Sequence, residues 1–264
     1  GFRLSGVDKD EETRDKIRAL SDEITQIGQT WDKNILDDVR YIEVTTEDLK
    51  GLPQDYIDAH PPGENGLIKI STRYPDIYPV YTFAESDEVR RRLRQQERSR
   101  AYPQNEPVLK SLLEKRNELA AILGYDNFAD LVTADKMIGS GTNAQKFIDR
   151  VSKLAKPAQE ADVKQLLKRL KQIDSGASEV NRWQVSYLQE LIKKEQYELD
   201  AAEVRQYFSY GKVRDGIFEL VSNLFNVEIR PWQTSTWHPS VESYEMLQDG
   251  KVFAQFHLDM HPRE

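Results

Sequence analysis

The sequence predicts a mainly α fold, in which a multi-helix lobe carries small antiparallel β-hairpins near residues 40–83 and 227–261. Apolar residues recur at steps of three and four over most of the chain, which is the spacing of one face of a helix. Alternating β-type runs are confined to two short stretches. We therefore expect a helical lobe at residues 1–225 with a small β insertion at about 40–83, followed by a β-hairpin region at residues 226–264.

The first helix is predicted by an apolar stripe, and a capping pair marks its start. The stripe consists of Ile17, Leu20, Ile24, Ile27, Trp31 and Ile35. Asp8 is followed three residues later by Glu11, which predicts a capping box.

The β insertion is predicted by two β-type runs, at residues 41–45 and 67–72. A turn of helix that stops at Gly51 and a loop at residues 60–66 separate them. Pro75 and Pro79 then predict an extended segment through residue 83, because a proline cannot donate to a central strand.

From residue 86 to about residue 225 the sequence predicts almost continuous helix. We expect Ser86 to cap an arginine-rich helix, and a helix from Asn105 to end at Gly124. Further helices are expected at residues 127–137, from Thr142 to about 170, and at 181–198, 201–208 and 212–225. Pro157 is expected to kink or split the long helix that starts at Thr142.

The last forty residues return to β-type patterns. Residues 227–230, 241–246 and 252–260 are strand-like. Between the last two runs, Asp249-Gly250 suits a type I′ turn, which predicts a hairpin.

The composition excludes several functional classes. A formal net charge of −8 argues against a surface that binds nucleic acid. The sequence contains no run of about eighteen apolar residues, so a membrane-spanning helix is not expected. The absence of cysteine removes disulfides, a cysteine nucleophile and thiolate metal sites, and it is compatible with the cytoplasm, which we favour, or the periplasm.

One basic cluster has two interpretations. It consists of Arg90, Arg91, Arg92, Arg94, Arg98 and Arg100. Clustered arginines can bind nucleic acid or the carboxylate of a peptide. Aromatic residues for base stacking do not alternate with them, and Glu97 offers a partner within the chain. We therefore favour a solvated or salt-bridged helix face.

A second candidate site is the alternating set His257, Asp259 and His261, since two imidazoles and a carboxylate can hold a metal ion. On an ideal strand, however, the two histidines would lie ~13 Å apart at ~3.3 Å per residue. Polar residues along one face of a strand are therefore the favoured interpretation. The residues alone indicate no reaction centre.

The C-terminal stretch nevertheless resembles the thimet oligopeptidase family of zinc metallopeptidases. The resemblance rests on Trp237-His238-Pro239-Ser240-Val241, Tyr244-Glu245, the Asp249-Gly250 turn, and the run from Phe256 through His257-Leu258-Asp259-Met260-His261-Pro262-Arg263 to Glu264. Earlier matches include Tyr74-Pro75, Tyr78-Pro79-Val80 and Leu123-Gly124-Tyr125. The chain departs from the family at Ser240, where aspartate is usual, and at His257, where tyrosine is usual.

The resemblance implies an enzyme that hydrolyses peptide bonds of short peptides with a zinc ion at the floor of a channel between helical lobes. The family's His-Glu-x-x-His motif is absent from these residues, so we assign no catalytic and no metal residue. We expect this chain to be a fragment that is inactive alone, with zinc in the intact parent and the missing C-terminal zinc lobe as its partner.

Within that parent, the resemblance implies that the helices form channel wall and that the terminal hairpin lies beside the zinc helix. An extended peptide can add to an exposed strand through main-chain hydrogen bonds. We therefore nominate Phe253, Ala254, Gln255, Phe256 and His257 as the substrate-binding strand. The alternative function is a non-catalytic helical module that binds peptides or a partner protein.

Overall fold

The computed structural model describes residues 2–197, 204 and 207–261. Over these residues the fold is mainly α with two small antiparallel sheets, which confirms the predicted fold class. The chain divides into two compact units, Gly1–Ile192 and Lys193–Glu264. The domain boundary that the sequence suggests at residues 225 and 226 stays a prediction.

The first unit contains two short strands and most of the helices. In chain order these are α1 (Glu11–Asp37), β1 (Tyr41–Val44), α2 (Gln54–Ala59), β2 (Ile68–Ser71), α3 (Tyr74–Phe83), α4 (Asp87–Arg98), α5 (Asn105–Ile122), α6 (Phe128–Thr133), α7 (Gly141–Leu170) and the start of α8 (Val185–Tyr197). Short 3-10 turns lie at Phe2–Ser5 and Glu47–Leu49. The six-residue helix α2 was not predicted from the sequence.

Side-chain caps set the starts of several helices. Ser86 caps α4, as predicted, and accepts a hydrogen bond from the N–H of Val89. Two helix starts differ from the sequence prediction. Asp10 rather than Asp8 caps α1, with its carboxylate 2.8 Å from the N–H of Thr13. Ser140 caps α7, so this helix begins one residue before Thr142.

The extended segment predicted at Pro75 and Pro79 is wrong, because residues 74–83 form helix α3. Pro75 lies in the first turn, where its missing N–H would have had no helical partner. Pro79 removes one hydrogen bond from inside the helix. Burial of Ile77, Val80 and Tyr81 in the core offsets that loss.

The long helix α7 continues through Pro157, so the predicted split does not occur.

The apolar stripe predicted on α1 is only partly in the core, because Ile17 and Leu20 are buried, whereas the remaining four residues are half-buried. The predicted helix at residues 201–208 lies outside the described residues, apart from 204, 207 and 208.

The main core of the first unit lies between the β1–β2 sheet and helices α2, α3 and α4. The strands are antiparallel, with Ile42 opposite Ile70 and Val44 opposite Ile68. These four side chains face the core, and Glu43 and Lys69 face solvent on the other side of the sheet. A smaller cluster joins Leu166 and Leu170 of α7 to Leu188 of α8.

The second unit contains the end of α8, helix α9 (Tyr210–Phe225) and strands β3 (Glu228–Pro231), β4 (Glu242–Gln248) and β5 (Lys251–Leu258). The strands form one antiparallel sheet in the order β3-β4-β5. Both central residues of the turn between β4 and β5 have positive φ, 51° at Asp249 and 73° at Gly250, which confirms the predicted type I′ hairpin. A bulge between Met246 and Leu247 shifts the register of this hairpin by one residue.

Candidate functional site

All five nominated substrate-binding residues, 253–257, lie on strand β5. This strand is the last in the sheet order, and no other strand of the described residues pairs with its outer side. An unpaired strand edge presents main-chain donors and acceptors to any extended chain that approaches it. Strand β5 therefore has the unpaired edge that its predicted role in binding an extended substrate requires.

The hydrogen bonds of β4 show which main-chain groups of β5 face outward. The N–H of Trp232 donates to the carbonyl of Ser243 over 2.8 Å, so the main chain of Ser243 faces β3. Ser243 lies opposite His257, which must then turn its own N–H and C=O away from β4. The same alternation applies to Gln255, opposite Glu245. The outer edge of β5 thus presents the main-chain groups of Gln255 and His257.

The side chains of β5 divide between two faces of the sheet. Phe253, Gln255 and His257 are exposed, whereas Ala254 and Phe256 are half-buried. The Phe256 ring stacks on Tyr244 at 5.6 Å between centroids, and it lies 6.0 Å from the ring of Phe218 on α9. Phe256 therefore anchors the strand to the unit's core, and Gln255 and His257 carry the accessible polar groups.

The His257 side chain is held by three neighbours that the sequence patterns did not identify. Its Nδ1 lies 2.9 Å from the hydroxyl oxygen of Ser243. Its ring lies 5.3 Å from that of Trp237 and 5.7 Å from that of Trp232. Trp237 also donates its indole N–H to Asp259 over 3.0 Å. His257 and Asp259 thus have structural partners on this face of the sheet.

The alternating set considered as metal ligands is not gathered around one point. His261 lies edge-on to the Tyr210 ring at 5.6 Å, away from the contacts of His257 and Asp259. In the part of the chain that the structure describes, no group of three or more histidine, aspartate or glutamate side chains is placed to hold a metal ion.

A charged cluster ties α9 to β4 beneath the candidate strand. Arg214 donates to Glu242 over 2.8 Å, and the Tyr244 hydroxyl donates to the same carboxylate. The hydrogen bond from Tyr244 and the charge of Arg214 lower the pKa of Glu242. Burial and the hydrogen bond to Glu242 raise the pKa of Tyr244 to about 12. Glu242 is therefore a carboxylate that orients the sheet on α9.

A shallow groove of about 280 Å³ lies on the side of β4 next to β3. It is lined by residues from the 231–236 segment and by residues 241–244. Trp232, which lines this groove, also contacts the ring of His257, so β5 has an unpaired outer edge and a side-chain contact with the 231–236 segment.

The arginine cluster forms a salt-bridged helix face, as favoured from the sequence. The ion pairs on α4 are Arg90–Asp87, Arg91–Glu88, Arg94–Glu97 and Arg98–Glu97. Local carboxylates thus satisfy most of the charge that could have suggested nucleic-acid binding.

Residues 80–264 match the model of peptidase family M3, which is more than half of the chain. The chain therefore belongs to peptidase family M3, and the resemblance stated from the sequence is confirmed.

Relatives from distant organisms match nearly the whole chain. Oligopeptidase A of Salmonella typhimurium is 25% identical over 281 residues, which cover 100% of this chain and 41% of the relative. Thimet-like oligopeptidase of Dictyostelium discoideum is 28% identical over 280 residues, which cover 100% of this chain and 41% of the relative. Saccharolysin of Saccharomyces cerevisiae is 28% identical over 280 residues, which cover 98% of this chain and 39% of the relative. The chain thus spans about two fifths of the length of these relatives.

None of the helices in the described residues combines the length and apolar character that crossing a membrane requires.

Proposed function

We propose that this chain is part of a zinc-dependent oligopeptidase that hydrolyses peptide bonds of short peptides. Membership of peptidase family M3 and the similarity to proteins named as oligopeptidases support this proposal. The observation that carries it further is the open edge of β5, which gives the second unit a surface suited to an extended peptide. On the same grounds, we propose that the helical region up to about residue 225 forms channel wall in the cytoplasmic parent enzyme.

The residues present do not fit a zinc site. The sequence contains no His-Glu-x-x-His, and each of its four histidines is followed by proline or leucine. Among the described residues, no cluster of metal-binding side chains is found. We therefore propose that the zinc ligands and the general base belong to a lobe of the parent enzyme outside this sequence, and that this chain alone is inactive.

The role proposed for this chain is to hold the substrate. Main-chain groups of Gln255 and His257 would pair with an extended peptide as an added strand, which gives affinity with little dependence on side chains. The exposed side chains of Phe253, Gln255 and His257 would flank the bound peptide. Ala254 and Phe256 would support the strand from its half-buried face.

Two variants at one position test the role of the strand. Gln255→Pro removes an outward N–H but leaves the ladder to β4 intact, whereas Gln255→Ala changes only the side chain. Binding of an end-blocked, rhodamine-labelled hexapeptide of alternating leucine and threonine is measured by fluorescence anisotropy. We expect Gln255→Pro to weaken binding about fivefold, which corresponds to the free energy of one main-chain hydrogen bond. Gln255→Ala should bind the peptide as tightly as the unchanged chain does.

A second probe keeps the test valid if Gln255→Pro does not fold. The same hexapeptide with N-methyl groups at alternate residues cannot form a full ladder, and we expect it to bind the unchanged protein more weakly. Equal binding of both peptides would refute the added-strand role. Stoichiometric zinc binding with hydrolysis of the hexapeptide by the 264-residue chain would refute the proposal that the ligands lie elsewhere.

A further inference from the structure

A groove in the first unit lies beside the β1–β2 sheet, along helix α4. Its volume is about 480 Å³, within the range of ligand sites in proteins. Its polar lining comes from three elements: Tyr41 and Glu43 of β1, Lys69 of β2, and Arg92, Gln95 and Gln96 of α4. All six residues belong to the first unit, so the groove is formed independently of the candidate strand β5.

The groove is lined by two cations, Arg92 and Lys69, for which no ion pair within 4 Å is found among the described residues. Arg91 and Arg94 lie close to Arg92 on α4, and each of them forms an ion pair with a glutamate of the same helix. Arg92 instead donates one N–H to the main-chain carbonyl of Glu43 over 2.9 Å. Lys69 lies across the sheet from Glu43, yet no ion pair within 4 Å joins them. Two cations and one carboxylate therefore line the groove, in a chain whose net charge is −8.

The main chain of β1 also turns toward this groove. The carbonyl of Arg40 accepts from the N–H of Thr72 over 2.9 Å, so Arg40 faces β2. By the alternation of an antiparallel pair, Tyr41 and Glu43 face away from β2. The hydrogen bond from Arg92 to the Glu43 carbonyl agrees with this orientation and fixes the guanidinium beside the strand. Because a guanidinium carries five N–H donors, Arg92 keeps donors for a ligand.

We propose that this groove binds an acidic segment of an extended peptide, with Arg92 and Lys69 holding its carboxylates. Arg92 is pre-oriented by Glu43, which lowers the entropy lost when it pairs with a planar carboxylate. Gln95 and Gln96 supply amide groups, and the outward main chain of β1 supplies donors and acceptors to the backbone of the peptide. The site selects for negative side chains, unlike β5, whose edge acts through main-chain groups.

The proposal is tested with two hexapeptides on the 264-residue chain. Both are labelled with rhodamine at the N-terminus and amidated; one repeats Thr-Glu and the other repeats Thr-Gln. Fluorescence anisotropy at low salt should show at least about tenfold tighter binding of the Thr-Glu peptide, equivalent to ~1.4 kcal/mol. The difference should shrink as salt rises, since exposed charges are screened.

Matched variants locate the site. Arg92→Gln and Lys69→Gln should each weaken binding of the Thr-Glu peptide several-fold. Arg91→Gln removes the same charge from the same helix, but Arg91 pairs with Glu88 and does not line the groove. Because Glu88 also interacts with Arg92, we expect this variant to weaken binding, but clearly less than Arg92→Gln does. Equal binding of the two peptides, or equal losses in Arg91→Gln and Arg92→Gln, would overturn the proposal. Gln255→Pro should leave the difference in affinity between the Thr-Glu and Thr-Gln peptides unchanged, because β5 binds through main-chain groups that do not distinguish the two peptides. A failure of the groove proposal can therefore be told apart from a failure of the proposed function.

Discussion

His60 and Asp76 form a half-buried ion pair whose contribution we expect to depend on pH. His60 follows the last residue of α2, and Asp76 lies in the first turn of α3. The His60 Nε2 is 3.2 Å from a carboxylate oxygen of Asp76, and both side chains are less than one fifth exposed. On the other side of the ring, Nδ1 is 2.7 Å from the carbonyl of Tyr56.

Both neighbours of the imidazole are hydrogen-bond acceptors, which decides its protonation state. A neutral histidine has only one N–H, so it can satisfy either the Tyr56 carbonyl or Asp76. The imidazolium satisfies both. Accordingly the hydrogen bond to Asp76 raises the pKa of His60 above its ordinary value of 6.5. Burial alone would raise the pKa of Asp76, but hydrogen bonds from His60 and Ser71 outweigh it and lower that pKa below 3.8.

The sign of the pH dependence follows from these two directions. A raised pKa means that the stabilisation from His60 is complete below pH 6.5 and is lost as the pH rises through the folded-state pKa. A lowered pKa means that the stabilisation from Asp76 is complete above pH 3.8 and is lost as the pH falls through its folded-state pKa. The pair should therefore stabilise the first unit most between pH 3.8 and 6.5.

The perturbation that isolates the pair is Asp76→Asn. The amide keeps an oxygen that can accept from the N–H of Ser71, now 2.9 Å from the carboxylate, but it loses the charge that favours the imidazolium. A hydrogen bond to a charged group is worth ~1.5–3 kcal/mol when buried, and partial exposure reduces it. We expect Asp76→Asn to cost about 2 kcal/mol at pH 6. The cost should become smaller as the pH rises through the raised pKa of His60, because the imidazolium that pairs with Asp76 is then lost.

The assay is an NMR pH titration of the four histidines, combined with hydrogen exchange of amides 60–76 at pH 6 and pH 8. In the unchanged protein His60 should titrate above 6.5, and Asp76→Asn should lower its pKa. Asp58→Asn, which removes an exposed carboxylate of α2 that accepts from Gln54, is the matched control. If His60 titrates at or below 6.5, or if the two variants act alike, the reasoning is wrong.

Two further predictions concern packing in the first unit. Gly51→Ala should destabilise it by more than ~1 kcal/mol, because φ is +91° and a new Cβ would lie 2.3 Å from the Phe83 carbonyl oxygen. Gly66→Ala, at φ +74° with open space around it, should cost less in the same thermal melts, and equal losses would contradict the steric argument. Leu188→Ala should cost about 2–5 kcal/mol, since the side chain is fully buried against Leu166 and Leu170. The Leu154 side chain is 70% exposed, so Leu154→Ala should change the free energy of unfolding by no more than about 0.5 kcal/mol. A cost comparable to that of Leu188→Ala would show that α7 packs more tightly than described.

Local sequence signals predicted most of the elements, and they failed where packing overrode them. Ser86 and Asp249-Gly250 act through their own backbone geometry, so their roles could be identified without knowledge of the fold. Helix α3 could not be predicted in this way. The cost of Pro79 is local, but the burial of Val80 and Tyr81 that offsets it depends on strands and helices far along the chain.

The candidate strand was predictable in position, but its register was not. Counted from the Asp249-Gly250 turn, an uninterrupted hairpin would place Ser243 opposite Phe256. The bulge between Met246 and Leu247 moves His257 into that place instead. Since a one-residue slip exchanges the two faces of a strand, the bulge decides that Gln255 and His257 direct their main chain outward. The partners of His257 and the pairing of Arg214 with Glu242 likewise depend on tertiary contacts.

The departure from the family pattern at His257 is consistent with the proposed role of β5, whereas the departure at Ser240 changes a local contact with His238. If residue 257 acts through its main chain, its side chain needs only to pack beside Trp232 and Trp237 and to reach Ser243. Histidine and tyrosine are both flat rings with a polar edge, so either meets that need. At position 240, the serine hydroxyl lies 2.8 Å from Nδ1 of His238. The N–H of Ser240 donates to the same Nδ1 over 3.1 Å, so this ring nitrogen is an acceptor and the hydroxyl donates to it. An aspartate has no such donor and would require an imidazole protonated at Nδ1 to form a hydrogen bond there.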